Sequence, residues 1–535
     1  MTSVVAINYV VASSGLNQAG LDPAGEFGCL LPTEPSLANP TVEVEFAMAK
    51  RKLSTFERLQ RGQKLNRSER KEIERRFQRE DPGWDIVHEN VAGIDVGNQS
   101  HFVAINPKLD SRAVREFGSW TAALREMADW LKGLSIKRVV LQSTGVYWIP
   151  LQDVLERAGL EVAVVEARGS KNLPGRKSDV QEWQWIRKLD IYGRLRDCFQ
   201  LPAAMRAIQT LWRLRQRWVT EAGRSIQQMQ KALILMNVQL ANALNDITGK
   251  TGLAIMRAIV EGERNPWKLA ALRDVRVHAT EDEIAHSLAG NWRPDVLFEL
   301  KQVLAAYDFL QQQIADCEVQ LEKQMQAQPT RSFQAEAGAA AVPLARDAKP
   351  TKKGQARPRK ARKNQPVFDL QAELKRVLGV DLTRIEGIHV LTAQTVYAEL
   401  GADLGAAFPS EDHFASWLML APKRDVSGGR VIRHYSIHSR NRVAHTLRMA
   451  AESLHESRSY LGARYRALRG RLKCGVKAVK AMARYLACLI YRMLTRGEAW
   501  VDRGAAYFEQ KQQEREIHNL QRRAAAIGMQ LVAAK

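Results

Sequence analysis

The sequence predicts a multidomain chain of the α/β plus α class, in which a unit of short strands and helices precedes two mainly helical units. Three observations predict it. The 535 residues are several times the usual single-domain size, so roughly three or four units are expected. Between about residues 84 and 200 short β-rich apolar runs alternate with helical segments, as in a sheet covered by helices. From about 203 onward apolar residues step at helical spacing, and a Lys/Arg-rich tract with almost nothing to bury divides that helical part.

Taken in order, residues 1–46 mix Gly, Pro, Ser and small apolar residues without period and read as a disordered leader. Residues 47–83 form a basic helical arm: Lys50 to Arg79 holds twelve Lys/Arg and four Glu, with Leu53, Phe56, Leu59 and Leu65 only loosely spaced for one apolar face. A solvated charged helix is the commoner fate of such a run, but the excess of one sign favours phosphate contact. In the α/β unit, 84–205, Val91–Val96 and His101–Ile105 flank the turn Gly97-Asn98-Gln99-Ser100 as a hairpin. Arg138–Leu141 and Val162–Val165 are further strands, with helices near 119–133 and 146–158.

A coiled-coil helical region is expected over 206–328. There Ala222, Ile226, Met229, Leu233, Met236 and Leu240 step by three and four, and Leu300, Tyr307, Ile314 and Leu321 pair with Val303, Leu310 and Cys317 at heptad spacing. An intrachain helical hairpin and a dimer seam fit these stripes equally well. Residues 329–366 read as a flexible basic linker, with nine Lys/Arg between Arg346 and Lys363 and no core to build. A second, predominantly helical folded domain follows over 367–535, ending in an amphipathic helix near 506–530.

The 80 Lys+Arg against 58 Asp+Glu leave a formal charge of +22, which makes a polyanion the default partner and disfavours cationic substrates. The five cysteines are scattered and never form C-x-x-C, which excludes a disulfide framework and a zinc finger and fits a reducing compartment. No run reaches the roughly 18 apolar residues that span a bilayer, and the start lacks a basic n-region. A cytoplasmic location without membrane partners is expected.

Several residues carry candidate chemistry. Asp95 closes the apolar run VAGID where a strand enters a tight turn, so its carboxylate is expected at a sheet edge in a metal-ligand posture, although Asp before Gly-Asn is also ordinary turn chemistry. Gln142 ends the run RVVLQ, ahead of Ser143-Thr144-Gly145. In GRKSDVQEW, Ser178 is placed to cap a helix on which Asp179 and Glu182 sit three apart, close enough to share a cation; helix-dipole stabilisation is the competing reading. Such a group of oxygen donors would hold Mg²⁺. Arg176 and Lys177 just before it are candidate phosphate contacts. Ser427 stands before Gly428 and Gly429 with Arg424, Arg430, Arg433 and Arg440 nearby, a setting in which backbone can approach phosphate and arginines neutralise charge. An S-G-G turn is equally an ordinary polar turn. RIEGIHVLTAQTV has the glycine-turn pattern of a helix-hairpin-helix phosphate binder, with His389 where a second glycine is expected. His434, His438 and His445 lie in an expected loop and form no metal spacing. Tyr147 and Trp148 read as core.

Together AGIDVGNQS, LQSTGVYWIPL and EARGSKNLPGRKSDVQEWQWI resemble the transposases of the insertion sequence 110 family, and the resemblance continues through NDITGKTGLAIMRAIVEGERNPWKLAALRD, LTRIEGIHVLTAQTVYAELG, HFASWLMLAPKRDVSGGR and NLQRRAAAIGMQLV. It spans roughly 88–325 and 367–533. It implies a RuvC-like, RNase H-fold domain with an acidic tetrad, a coiled coil, and a transposase domain with a catalytic serine. Carried over residue by residue, the tetrad falls on Asp95, Gln142, Asp179 and Glu182, and the nucleophile on Ser427. Glu182 replaces Asp and keeps its charge; Gln142 replaces Glu and loses one.

The resemblance further implies DNA transposition with Mg²⁺, a structured non-coding guide RNA that pairs with donor and target DNA, and a homo-oligomer in which Ser427 can reach over from a partner subunit. Three rivals accompany this reading. They are a site-specific DNA invertase, a non-catalytic nucleic-acid-binding relic disabled at Gln142, and a hydrolytic junction resolvase that uses the acidic site alone.

Overall fold

The computed structural model describes residues 64–79, 86–142, 145–165, 187, 189–193, 195, 197–333, 364–435, 440–497, 500 and 502–530. The expected leader, most of the basic linker, and the stretch carrying Arg176, Lys177, Asp179 and Glu182 lie outside the described residues.

Helix α1 (Arg67–Arg79) begins with a reciprocal cap: the Glu69 amide donates to Asn66 Oδ1 at 2.9 Å and the Asn66 amide to Glu69 Oε2 at 2.8 Å, which satisfies two amides that a helix start leaves open. The helix is docked to the unit that follows, because Leu65 is buried in the sheet core and the Arg70 guanidinium donates to the carbonyls of Pro107 and Lys108, each at 2.8 Å.

That unit runs β1 (Val91–Val96), β2 (Ser100–Ala104), β3 (Val114–Gly118), α2 (Thr121–Gly133), β4 (Arg138–Gln142), α3 (Trp148–Arg157) and β5 (Glu161–Val165). The sheet order is β3-β2-β1-β4-β5. The first three strands pair antiparallel, while β1, β4 and β5 pair parallel. This is a mixed sheet of the kind the resemblance implies. The tight β1–β2 turn needs Gly97, where a Cβ would sit 2.4 Å from the Ser100 carbonyl oxygen. Strand β3 was not expected from the sequence. It lies at the sheet's edge, where Val114 and Phe117 face inward and Arg115 and Glu116 stay partly exposed, so its charged residues hide its apolar period.

The strands bury two different faces. Ile94, Val103, Val139 and Leu141 point to one, covered by Leu124, Met127 and Leu131 of α2 and by Leu151 and Leu155 of α3. Each fully buried aliphatic chain there contributes roughly 1.5–3 kcal/mol. Val91, Val140, Ala163 and Val165 point to the other, against Ile191 and Leu195. At the start of β4 the nearly buried Arg138 ties this second face together, with Nε at 2.9 Å from Asp190, Nη2 at 2.9 Å from Asp197, and Nη1 on Glu161.

Beyond the sheet, α4 (Ala203–Leu235) and α6 (Pro294–Gln326) are 33 residues each, about 50 Å long at 1.5 Å per residue, and pack along one another. α5 (Lys250–Glu261) and three shorter helices fill the connection. Ala222, Met229 and Leu233 of one stripe and Leu300, Tyr307, Leu310, Ile314, Cys317 and Leu321 of the other are buried, so the intrachain hairpin is the alternative taken. The first stripe outruns its helix: α4 stops at Leu235, Met236 lies in a turn in which Asn237 has φ +55°, and Leu240 opens a separate short helix, Leu240–Ala243.

The rest comprises α7 (Leu370–Leu378), α8 (Val390–Leu400), α9 (Glu411–Trp417), β6 (Lys423–Ser427), β7 (Arg430–Tyr435), α10 (Arg442–Glu452), α11 (Tyr460–Leu472), α12 (Gly475–Arg496) and α13 (Gly504–Ala526). Its core gathers Val396, Tyr397, Phe414, Leu447, Met482 and Ile490, and includes Ile208 and Trp212 of α4 and Met325 of α6. One end of the long hairpin is therefore built into this core. The pair β6–β7 corrects the loop expected there; α13, by contrast, buries none of its residues.

Candidate active site

β1 is the middle strand of the sheet, so Asp95 lies at the C-terminal end of a central strand and not on an edge strand. Its neighbour follows from register. Gly93 pairs with Val140 and Ile94 with Leu141 in parallel, which sets Asp95 beside Gln142, one step further along. Strands stand about 4.8 Å apart and directly paired residues share a face. Asp95 and Gln142 thus share the face of Val91, Val140 and Val165, and Gln142 is buried while Asp95 is half-buried. The sheet brings together the first two sequence-predicted positions.

A carboxylate and a carboxamide side by side offer hard oxygen donors at a strand end, which fits Mg²⁺. Gln142 brings no charge to the pair. Among the described residues no cluster of three or more His, Cys, Asp or Glu side chains is grouped for a metal; Asp179 and Glu182 lie outside them. On β2, His101 is 2% exposed, its Nδ1 has no hydrogen-bond partner among the described residues, and burial lowers its pKa below 6.5, which favours the neutral ring.

Ser427 sits on a separate element. It is the last residue of β6 and pairs with Arg430. The two residues between them, Gly428 and Gly429, have φ +54° and +76°, the two positive values that a two-residue hairpin turn of matching twist demands. Among the described residues, a Cβ on either glycine would meet nothing within 4 Å. Lys423, Arg424, Ser427, Arg430 and Arg433 are exposed, as are the apolar Val426, Val431 and Ile432. Arg433 donates from Nε to Asp425 at 2.7 Å and lies 5.1 Å from the Tyr435 ring centroid, which stiffens the stem. The Ser427 hydroxyl has no hydrogen-bond partner among the described residues. Exposed cations thus share this small hairpin with an exposed hydroxyl, an arrangement suited to binding phosphate and placing an oxygen nucleophile against it.

Arg440 is exposed just past the hairpin. It lines a cleft of about 1020 Å³ with Trp148, Arg157, Arg206, Arg213, Glu399 and Arg442, among others. The cleft lies between α3 of the sheet unit and the helical core. Its walls are held by ion pairs: Arg206 to Glu156 at 2.6 Å and to Asp153 at 2.9 Å, and Arg213 to Glu399 at 2.6 Å. Sequence reasoning missed these residues, whose only local signal was the spacing of Arg206, Gln209 and Arg213 along one helix face. Tyr147 corrects its expected core placement, being 44% exposed, whereas Trp148 packs partly against the sheet core and partly lines the cleft. Gly387, in the suspected phosphate-binding turn, presses its Cα against α10, where a Cβ would lie 2.7 Å from the Ala450 carbonyl. His445 is exposed on α10; His438 and the side chain of His434 lie outside the described residues.

Two family models match the chain, one at each end of this architecture. A model described as a transposase, of the DEDD type of IS110 elements, matches residues 92–237, which contain the strand-end pair. A second, described as the transposase IS116/IS110/IS902 family, matches residues 381–466, which contain the serine hairpin. No curated protein matches the chain.

Proposed function

We propose that this chain, which belongs to the IS110 family of transposases, is a serine recombinase whose nucleophile is Ser427 and whose acidic group is Asp95, Gln142, Asp179 and Glu182. Membership implies DNA as a partner and the cutting and rejoining of its strands as the activity. The observation that carries the finer reading is the hairpin: Ser427 stands at an exposed Gly-Gly tip, its hydroxyl unpaired among the described residues, with Arg424, Arg430 and Arg433 on the same small element.

In this reading Arg424, Arg430 and Arg433 bind the phosphate, and Ser427 Oγ attacks phosphorus. An Oγ–P bond forms as the bond from phosphorus to one sugar oxygen breaks, and that oxygen leaves with a proton. The phosphodiester energy is kept in the serine linkage and returned when a new sugar hydroxyl attacks. Asp95 and Gln142, with Asp179 and Glu182, would hold Mg²⁺, which when bound neutralises charge developing at the phosphate. In this reading the hairpin meets the acidic group in the assembled complex, from the same chain or a partner subunit. The net charge of +22 also favours a structured guide RNA as a second polyanion.

The test is covalent capture. A nicked DNA substrate whose cleaved end diffuses away should trap a protein–DNA adduct that maps to Ser427, and Ser427→Ala should give none, a loss of at least two to three orders of magnitude in adduct yield. Cleavage retained by Ser427→Ala would overturn the serine reading and leave hydrolysis at the acidic site.

A further inference from the structure

We infer that helix α13 is a self-association surface, its apolar stripe pairing antiparallel with the same helix of a second copy of this chain. The root of the helix is fixed. Phe508 packs edge-on against Tyr460 of α11 with ring centroids 5.3 Å apart, and the Tyr460 and Gly504 amides both donate to Asp502 Oδ1 at 3.0 Å. Beyond the root the packing stops. From Glu509 to Ala526, about 27 Å of helix, every residue is exposed except the half-buried Ala524. The side-chain hydrogen bonds of this stretch, among the described residues, stay within the helix.

Helices in proteins draw most of their stability from burying one amphipathic face, and α13 has such a face without a cover. Ile517, Leu520, Ala524 and Ile527 step by three and four, and Leu531 continues the series. Ile517, Leu520 and Ile527 are 50%, 48% and 71% exposed. This is the spacing of a coiled-coil seam, and Gln510 and Gln513 extend it toward the root with polar side chains of the kind that hold a seam to one register.

The charges select what covers it. With four Lys/Arg against three Glu, α13 is nearly neutral in a chain of +22, which makes it a poor surface for phosphates. The acidic residues Glu509, Glu514 and Glu516 precede the centre of the stripe, and Arg522 and Arg523 follow it. Heptad positions set by Ile517 and Leu520 place Glu509, Glu516 and Arg523 along one flank of the seam and Glu514 on the other. Two parallel copies would oppose Glu509 of each with Glu514 of the other, a repulsion made twice. Two antiparallel copies, with Ile517 of each against Leu520 of the other, oppose Glu516 of each with Arg523 of the other. A two-fold axis repeats both contacts, so the pair closes as an isologous dimer. The required charges are at hand: Glu516 accepts only a neutral donor, Gln512 at 3.1 Å, and Arg523 has no ion pair among the described residues, whereas Glu514 is already paired with Lys511 at 2.7 Å.

This inference goes beyond the functional reading, which assigns no contact surface to a partner subunit. Its test is sedimentation velocity of the full chain, free of DNA and RNA, over a dilution series. The parent should dimerise. Glu516→Arg and Arg523→Glu should each weaken the dimer about tenfold or more, because each turns two attractive pairs into repulsive ones. Mixed in equal amounts, the two variants should associate as tightly as the parent, since every contact between positions 516 and 523 of unlike chains is again opposite in charge. That rescue separates a lost contact from a lost fold. Ile517→Asp combined with Leu520→Asp should stay monomeric at concentrations where the parent is dimeric. A monomeric parent, single variants that dimerise like the parent, or a mixture no tighter than either variant would overturn the inference. Covalent capture at Ser427 bears on the functional reading alone, so the two can fail separately.

Discussion

The two regions that carry the candidate chemistry are built in opposite ways. Asp95 and Gln142 end parallel strands in the middle of a five-stranded sheet, so their separation is set by backbone pairing and by a packed core on one face. Ser427 ends a two-stranded hairpin of exposed residues, none of which joins the helical core. A two-stranded hairpin alone is marginal in water; this one is held by its Gly-Gly turn, the Arg433–Asp425 pair and its anchorage between α9 and α10. The difference teaches that the two candidate regions have different rigidity. The Asp95–Gln142 pair is fixed by the sheet itself, whereas the serine hairpin is an exposed arm that in the proposed reading completes its surroundings with a partner. Three measurements can break or sharpen that contrast.

The largest effect should come from Arg138. Its guanidinium is buried at the start of β4, with Asp190 at only 1% side-chain exposure beside it, while Asp197 and Glu161 keep 47% and 64% of theirs. Burial disfavours the charged guanidinium, but the carboxylates of Asp190 and Asp197 more than compensate and raise its pKa. Arg138→Met leaves Asp190 as a buried charge without its partner and should cost about 3–5 kcal/mol of stability. Urea unfolding followed by circular dichroism reads this as a lower midpoint. The double variant Arg138→Met, Asp190→Leu should recover part of the loss, because it removes the stranded charge as well. A single variant within about 1 kcal/mol of the parent would show that the sheet half is less fixed than its packing indicates.

Next is a pH effect confined to the sheet. His101 is buried with an unpartnered Nδ1 and a pKa below 6.5. The unfolded chain therefore binds a proton more readily than the folded one. The stability held by the neutral ring is fully present above about pH 6.5 and is lost as pH falls from there toward the folded pKa. The slope approaches about 1.4 kcal/mol per pH unit for one proton. His101→Leu should remove that slope; an unchanged slope in the variant would place the titrating group elsewhere.

The same contrast explains which parts of the molecule could be read from sequence. The β1–β2 hairpin was legible because Gly97-Asn98 separates two apolar runs, and β4 and β5 because strands buried on both faces leave nearly continuous Val/Leu runs. The long helices were legible from three-and-four stepping, except for the end of α4, where Asn237 turns the chain while the apolar stepping continues. Strand β3 was not legible, since an edge strand mixes Arg and Glu with its buried residues. β6 and β7 were missed for a related reason: with neither face buried, KRDVS and RVIRHY carry no period of two, and only the Gly-Gly turn signalled a reversal. Asp95 and Gln142 were each legible as strand ends, but their adjacency depends on a parallel register that no local pattern records. The cleft was invisible because Trp148, Arg206, Glu399 and Arg442 come from distant parts of the chain.

The smallest expected effect is the most telling for the hairpin. Val426, Val431 and Ile432 are 57%, 43% and 69% exposed, and Ser427 is exposed as well. Burial contributes in proportion to the apolar area removed from water, so Ile432→Thr and Ser427→Ala should each leave unfolding of the free protein within about 0.5 kcal/mol of the parent. Ile432→Thr should nonetheless weaken the assembled protein–DNA complex, because an exposed apolar side chain on the hairpin of the proposed nucleophile gains its burial only when a partner covers it. Measured together, an unchanged unfolding midpoint and a faster dissociation of the complex would place the stabilising contacts of the serine arm outside the free chain. A lowered midpoint in the free protein would mean instead that the arm already packs against its own chain, and the contrast between a fixed acidic half and an open serine half would fail.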